Sequence, residues 1–139
     1  MSVQSAHNST VIPASGQGLR IGVFDSGVGG LSVLKAIRQQ LPLADLIYVA
    51  DSANAPYGER DDAFISDRCH AISKFLNQQH VDGIVVACNT ATAVAVQSLR
   101  DALPSMPIIG VEPGIKPGIA QSKNKRVGVL ATPGTMASA

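Results

Sequence analysis

Short apolar runs alternate along the chain with segments in which apolar residues recur at helical spacing. The runs are rich in β-branched residues and end at Asp, Gly or Pro, which is typical of buried strands that enter turns. We predict five strands, at residues 21–24, 46–50, 81–87, 107–111 and 126–130.

Three helices are predicted between these strands, at residues 30–41, 61–79 and 88–103. The first two each carry one apolar stripe, which consists of Leu31, Leu34, Ile37 and Leu41 in the first and of Ile65, Cys69, Ile72 and Leu76 in the second. Strands that alternate with helices at this spacing form right-handed βαβ units. The predicted fold class is therefore α/β, a parallel sheet flanked by helices.

The chain divides into three parts by composition. Residues 1–19 are rich in Ser, Asn, Gln and Gly and are predicted to form a flexible tail. Residues 20–112 hold four of the predicted strands and are interpreted as a first α/β domain. The Pro- and Gly-rich stretch at 112–118 is the best candidate for a crossing between domains. Residues 113–139 are therefore interpreted as a hinge and the start of a second α/β domain.

The composition favours a parallel sheet that is covered on both faces. Hydrophobic residues make up 45% of the chain, but aromatic residues make up only 4% and there is no Trp. The core must therefore consist mainly of Val, Ile, Leu and Ala. The formal charge of +1, from 11 basic and 10 acidic residues, offers no broad surface for nucleic acid or anionic lipid. A small-molecule partner is expected instead.

Two features bear on where the protein acts. Residues 1–19 contain no basic segment followed by an apolar one, as a signal peptide would. No apolar run approaches the roughly 20 residues that span a bilayer. These features favour a cytoplasmic protein without a membrane span, in which both cysteines are free thiols.

Four groups of polar residues follow the predicted carboxyl ends of separate strands. In open parallel sheets, ligands bind at that edge, where helix N-termini also present free N–H groups. We therefore expect one cleft to be formed by four groups: Asp25 with Ser26, the loop from Asp51 to Gly58, Cys88 with Asn89 and Thr90, and Thr132 with Thr135.

Cys88 is the leading candidate for a catalytic residue. It lies between a buried strand and a helix, where amide dipoles stabilise an anion, so its thiolate could act as a base. The alternative is a small buried hydrophobe, a role better suited to a Cys inside an apolar run than to one at its polar end. Cys69 shares an apolar stripe with Ile65 and Ile72 and is expected to be packed and inert.

The other polar candidates each allow a second interpretation. Asn89 and Thr90 offer an amide and a hydroxyl that suit a carboxylate, but both are also good helix-capping residues. Asp25 could hold an ammonium group and Ser26 could donate a hydrogen bond, although the pair could also cap the first helix. The Pro-Tyr-Gly sequence at 56–58 could close a small pocket, yet it is by itself a common turn.

A dinucleotide site is the main alternative function. Gly27-Val28-Gly29 follows the first strand, and Asp51 ends the second strand at about the distance of 20 residues expected for a ribose ligand. Ser32 stands where the third glycine of that motif is needed, and Asp25 at the mouth would repel a pyrophosphate. A non-catalytic binding protein is a further alternative.

No metal site is expected. The three histidines, His7, His70 and His80, lack metal-ligand spacing with one another or with Cys88. Zinc sites in proteins need such a set of three or four ligands.

Four motifs, in order along the chain, carry a resemblance to a known family. They are Phe24-Asp25-Ser26-Gly27-Val28-Gly29-Gly30-Leu31-Ser32, Pro56-Tyr57-Gly58, Ala87-Cys88-Asn89-Thr90-Ala91 and Ala131-Thr132-Pro133-Gly134-Thr135. From about Ile21 to its end the chain resembles the glutamate racemases of peptidoglycan precursor synthesis. Aspartate racemases usually follow their Cys-Asn-Thr-Ala with His, whereas Thr92 stands here, which favours glutamate.

The resemblance implies a two-domain enzyme that interconverts L- and D-glutamate without a cofactor, with the active site between its domains. One cysteine thiolate removes the α-proton while a thiol on the other face returns one. By position, Cys88 is the first of these catalytic residues. The implied substrate-binding residues are Asp25, Ser26, Tyr57, Gly58, Asn89 and Thr90, with Thr132 and Thr135 as weaker candidates.

The second catalytic cysteine of the family lies in a Cys-Thr-His motif, which nothing in these 139 residues matches. We therefore expect the chain to be incomplete and inactive by itself. The resemblance implies glutamate as the partner and no metal, and it allows a homodimer in the full-length family.

Overall fold

A parallel sheet of four strands forms the centre of the fold. The computed structural model describes residues 18–137. Its strands are β1 (Arg20–Asp25), β2 (Asp45–Ala50), β3 (Gly83–Val86) and β4 (Ile108–Gly110). They pair in the order β2-β1-β3-β4, each parallel to its neighbour. The predicted α/β class with a parallel sheet is confirmed.

Five α-helices connect and follow the strands within the described residues. They are α1 (Leu31–Gln40), α2 (Asp62–Gln78), α3 (Asn89–Ala102), α4 (Ile115–Gln121) and α5 (Pro133–Ala137). Two 3-10 turns, Ser52–Asn54 and Tyr57–Glu59, shape the loop after β2. The first three helices match the predicted ones to about one residue at each end, whereas α4 and α5 were not predicted.

The core lies between one face of the sheet and helices α2 and α3. Leu76 of α2 packs directly over Gly22 of β1, where a Cβ would lie 2.9 Å from a Leu76 methyl carbon. Phe24, Ile65 and Leu99 are almost completely buried in the same cluster. Burial of this apolar surface holds both helices on the sheet and so fixes where α3 begins.

The opposite face of the sheet is covered less completely. Leu31 of the predicted apolar stripe on α1 is 47% exposed, and α1 has no buried residue. Val23 in the central strand is buried on this face, but Ile109, which is in register with Val85 of β3, is 60% exposed. Among the described residues, α1 thus packs on the β2 side of the sheet and leaves the β4 side of this face open.

The prediction of a fifth strand at residues 126–130 is wrong. These residues pair with no strand in the described part of the chain, and Leu130 is fully exposed. A strand needs a neighbouring chain that takes up its backbone hydrogen bonds. The alternation of two valines in this segment does not provide such a neighbouring chain.

The Pro- and Gly-rich stretch at 112–118, the candidate crossing between domains, contains the start of α4. Pro117 lies in the first turn of this helix. The N–H groups of a first turn have no partner within the helix, so a proline there costs no hydrogen bond. The Pro and Gly residues of this stretch therefore mark the beginning of a helix.

Most of the predicted tail, residues 1–17, lies outside the described residues. Between residues 18 and 137, no helix is long and apolar enough to cross a membrane.

Candidate active site

A cavity of about 430 Å³ opens at the carboxyl edge of the sheet. Its walls come from the loop after β1, the junction of β3 with α3, and the segment that leads into α5. The predicted site residues that line it are Asp25, Cys88, Asn89, Thr90, Thr132 and Thr135. The parallel strands therefore bring polar side chains from distant parts of the sequence to one cleft.

Cys88 is the residue before α3 and caps this helix. Its backbone is extended, and its Sγ accepts a hydrogen bond from the N–H of Ala91 at 3.5 Å. The same sulfur lies 3.7 Å from the Oγ of Ser26, and the residue is 8% exposed. A backbone amide and a hydroxyl at a helix N-terminus both stabilise negative charge on sulfur. The position therefore suits a thiolate base.

Asp25 ends β1 and fixes the loop that follows. Its Oδ2 accepts a hydrogen bond from the N–H of Gly30 at 2.9 Å. A Cβ on Gly30 would lie 2.8 Å from the Cβ of Asp25 and 2.9 Å from that of Ala87, so glycine is required there. The carboxylate thus anchors the residue before α1 and also lines the cavity. The capping alternative for Asp25 and Ser26 is wrong, because Gly30 is the N-cap of α1 and no side chain caps this helix.

Three threonine hydroxyls form a cluster on one wall of the cavity. Thr90 Oγ1 lies 2.9 Å from Thr132 Oγ1 and 3.5 Å from Thr135 Oγ1, and Thr132 donates to Thr135 at 3.0 Å. Hydroxyls both donate and accept hydrogen bonds, so this cluster can reorganise around a carboxylate. Asn89 lines the cavity from the first turn of α3 and is exposed.

The loop after β2 contacts the threonine cluster through Gly58, which itself does not line the cavity. Tyr57 is 1% exposed, it is not among the residues that line the cavity, and its hydroxyl donates to Asp51 Oδ2 at 2.6 Å. Burial and this hydrogen bond raise the pKa of Tyr57. A Cβ on Gly58 would lie 2.5 Å from Thr132 Cγ2. This glycine therefore allows the loop to contact the threonine cluster.

Asp51 is fully occupied by neighbouring side chains. Arg68 donates from Nε to Oδ2 at 2.9 Å and from Nη2 to Oδ1 at 3.0 Å, and Asn54 donates to Oδ1 at 2.9 Å. Burial acts to raise the pKa of Asp51, but the hydrogen bonds from Arg68, Tyr57 and Asn54 outweigh it and hold the pKa below its usual value. With both oxygens engaged, Asp51 cannot bind the ribose hydroxyls that a dinucleotide site would require.

Comparison with known proteins decides the family. A family model described as Asp/Glu/Hydantoin racemase matches residues 21–139. The chain belongs to this racemase family. The resemblance drawn from the four sequence motifs is thereby confirmed.

Among relatives of this racemase-family chain, the glutamate racemase of Pseudomonas aeruginosa is 54% identical over 119 residues, which cover 86% of this chain and 45% of the relative. The solved structure of glutamate racemase from Aquifex pyrophilus is 45% identical, with a TM-score of 0.78 over 86% of this chain and 48% of that one. The Escherichia coli glutamate racemase, solved with L-glutamate and the activator UDP-MurNAc-ala, is 43% identical, with a TM-score of 0.82 over 87% of this chain and 46% of that one. The chain thus spans about half the length of the relatives it matches.

The two cysteines of this racemase-family chain differ in their surroundings. Both are free thiols, but Cys69 is 0% exposed in the core beneath the sheet edge. Burial, with added effects from Cys88 and Asp51, raises the pKa of the Cys69 thiol to about 12. Cys69 is therefore packed, as predicted, and is not ionised at neutral pH.

The two histidines in the described part of this racemase-family chain, His70 and His80, do not assemble with other metal-binding side chains. His70 Nε2 lies 3.1 Å from Ser98 Oγ, between α2 and α3. His7 lies outside the described residues. Over residues 18–137, no three His, Cys, Asp or Glu side chains are placed to hold a metal ion.

Sequence reasoning missed two polar side chains that organise this racemase-family site. Arg68 on α2 holds Asp51, and Tyr48 in β2 donates from its hydroxyl to the carbonyl of Gly27 at 3.0 Å. Tyr48 stands two residues before the end of β2, at the edge where ligands bind, and that position could have identified it. Arg68 gave no such signal, because its partner lies on another element 17 residues away.

Proposed function

We propose that this chain supplies one of the two proton-transfer residues of a glutamate racemase, with Cys88 as the base on one face of the α-carbon. The observation that carries the proposal is the position of Cys88 Sγ, which lies at the cavity between the N–H of Ala91 and the hydroxyl of Ser26. Identities of about half to relatives named glutamate racemase support glutamate as the substrate.

The proposed reaction needs proton transfers only. The Cys88 thiolate takes the α-proton, so an S–H bond forms as the Cα–H bond breaks and the electron pair spreads into the adjacent carboxylate. A second acid on the opposite face then protonates the α-carbon and inverts it. In the reverse direction the two groups exchange roles, so we propose that no cofactor takes part.

The cavity offers complementary groups for the substrate. Asp25 carries the negative charge suited to the α-ammonium group, and the threonine hydroxyls with Asn89 suit a carboxylate. No Lys or Arg is among the residues that line the cavity in the described part of the chain. Glutamate carboxylates would therefore be held by neutral donors and the N-terminus of α3, which predicts weak binding by this chain.

The wider role is proposed from the family. In the full-length enzyme we propose that residues 20–112 form a first domain, that residues 113–139 begin a second, and that the catalytic thiol of the opposite face lies in the second. The enzyme would act in the cytoplasm and supply D-glutamate for peptidoglycan and hence for cell shape. A homodimer is part of the same proposal.

Calorimetric titration with L-glutamate and with NAD tests the proposed substrate. We expect weak, saturable binding of glutamate and none of NAD. Asp25→Asn should weaken glutamate binding about tenfold, because it removes the charge that faces the ammonium group. Asp45→Asn, which removes an exposed carboxylate at the opposite end of the sheet, should leave it unchanged.

Two results would reverse the ranking of functions. Saturable NAD binding without glutamate binding would favour the dinucleotide module. Binding of neither ligand, together with a stable protein partner in a pull-down, would favour a non-catalytic binding protein.

A further inference from the structure

The loop at residues 26–30, between β1 and α1, rests on the hydroxyl of Tyr48. This hydroxyl donates to the carbonyl of Gly27 at 3.0 Å. At the other end of the loop, a Cβ on Gly30 would lie 2.9 Å from the same oxygen. The phenol oxygen therefore hydrogen-bonds to one end of the loop that carries Ser26 and leaves no room for a side chain at the other end.

The sheet register places Tyr48 where it can do this. Tyr48 of β2 is in register with Val23 of β1, two residues before the strands end at Asp25 and Ala50. The tyrosine side chain is long enough to pass the strand ends from this position. Burial raises the pKa of Tyr48, and the nearby charges of Asp25 and Cys88 raise it further. The phenol therefore stays protonated and keeps its donor at neutral pH.

Hydrogen bonds hold the first part of this loop. A Cβ on Gly27 would meet no atom within 4 Å, so this residue faces open space on that side. Ser26 lies between two fixed points, the Asp25 carboxylate bound by Gly30 N–H and the Gly27 carbonyl bound by Tyr48. Its Oγ is 3.7 Å from Cys88 Sγ.

We propose that Tyr48 is a positioning residue for Cys88: it holds the loop so that the Ser26 hydroxyl stays beside the Cys88 sulfur. When Cys88 is a thiolate, Ser26 can donate its O–H hydrogen to the sulfur and stabilise the negative charge. Tyr48 itself touches neither sulfur nor substrate. The proposal rests on the proposed role of Cys88 as a base and names the residue that keeps a hydrogen-bond donor beside it.

The test is the rate constant for alkylation of Cys88 by iodoacetamide, followed by mass spectrometry at pH 7 and at pH 9.5. Thiols of ordinary acidity are largely ionised at the higher pH. Dividing the rate constant at pH 7 by the rate constant at pH 9.5 therefore cancels changes in the access of iodoacetamide to the thiol. Tyr48→Phe removes only the hydroxyl and should lower this ratio about threefold, the effect of one lost hydrogen bond. Ser26→Ala should lower it equally, and the double variant should lower it no further.

Two controls separate positioning from general loosening. The buried Cys69 thiol reports opening of the core and should stay unlabelled in Tyr48→Phe. Ser98→Ala, which removes a hydrogen bond to His70 between α2 and α3, should leave the Cys88 ratio unchanged.

Several outcomes would overturn the proposal. The first is an unchanged ratio of rate constants in Tyr48→Phe or in Ser26→Ala. The second is a double variant in which the decreases of the two single variants multiply. The third is labelling of Cys69 in Tyr48→Phe. None of these measurements uses glutamate. Failure to bind glutamate would therefore count against the proposed function alone.

Discussion

Arg68 and Asp51 form a two-point ion pair that joins α2 to the end of β2. The Asp51 side chain is 9% exposed and that of Arg68 is 35% exposed. Because Tyr57 donates to the same carboxylate, the pair also fixes the loop that brings Gly58 against Thr132. One ion pair thus connects the helix, the sheet and one wall of the cavity.

This ion pair should make stability depend on acid. The pKa of Asp51 is lowered in the folded protein, so its contribution is complete above the unfolded value of about 3.9 and is lost as pH falls below that value toward the folded one. Arg68→Met should lower the free energy of unfolding by about 2 kcal/mol at pH 7. The difference from the unchanged protein should shrink below about pH 4, as urea unfolding at a series of pH values can show.

Arg20→Met is the matched control for that experiment. Arg20 pairs with Asp45 at the opposite end of the same sheet, with side chains 43% and 66% exposed. Its loss should change the free energy of unfolding by less than about 0.5 kcal/mol. Equal effects of the two substitutions would show that burial of the Asp51 pair is energetically unimportant.

Gly58→Ala should disturb the cavity wall. The added methyl group would lie 2.5 Å from Thr132 Cγ2, so Thr132 must shift from its position beside Thr90. We expect a stability loss of about 1–2 kcal/mol and severalfold weaker glutamate binding by calorimetry. Gly114→Ala, where a Cβ meets nothing within 4 Å, is the control. Unchanged glutamate affinity in Gly58→Ala would show that the contact between Gly58 and Thr132 does not contribute to the site.

Ser73→Ala should stabilise the protein. Ser73 is 1% exposed in α2, and its Oγ makes no hydrogen bond with any described residue. Removing an unsatisfied buried hydroxyl should raise the free energy of unfolding by about 1 kcal/mol. Ser98→Ala, which removes hydroxyl bonds to His70 and to the Ala95 carbonyl, should lower it. A destabilised Ser73→Ala would mean that this hydroxyl has a partner after all.

Local sequence patterns predicted the helices whose own apolar stripe packs against the core. The stripe with Ile65, Cys69 and Leu76 predicted α2 because its residues face one core. Residues 126–130 have the composition of a strand, but a strand also needs a partner chain, which no local pattern shows. The helix α4 was not predicted, because the effect of Pro117 depends on where in a helix it lies.

The candidate site was predictable to the extent that strand ends define it. Asp25 is the last residue of β1 and Cys88 comes two residues after the end of β3. Both line the cavity. The hydroxyl of Tyr57 was not predictable, because its bond to Asp51 depends on a loop of two 3-10 turns. Tyr48 could have been identified from its position near the end of β2, but a tyrosine in a strand is usually a packing residue.

The 139-residue chain should not racemise glutamate by itself. Inversion needs a proton-transfer group on each face of the α-carbon, and Cys69 is buried and protonated at neutral pH. The test is incubation with L-glutamate in D₂O, following optical rotation and deuterium at the α-carbon. Sustained formation of D-glutamate that Cys88→Ala abolishes would show that these residues contain a second base.

The most direct test of the central claim is alkylation of the native protein, with Cys88 and Cys69 quantified separately by mass spectrometry, in the presence and absence of glutamate. Cys88 lines the cavity at the N-terminus of α3, whereas Cys69 is enclosed in the core. We predict that Cys88 is modified and Cys69 is not, and that saturating glutamate, but not NAD, slows modification of Cys88. Faster modification of Cys69, or a Cys88 rate that glutamate does not change, would contradict the account.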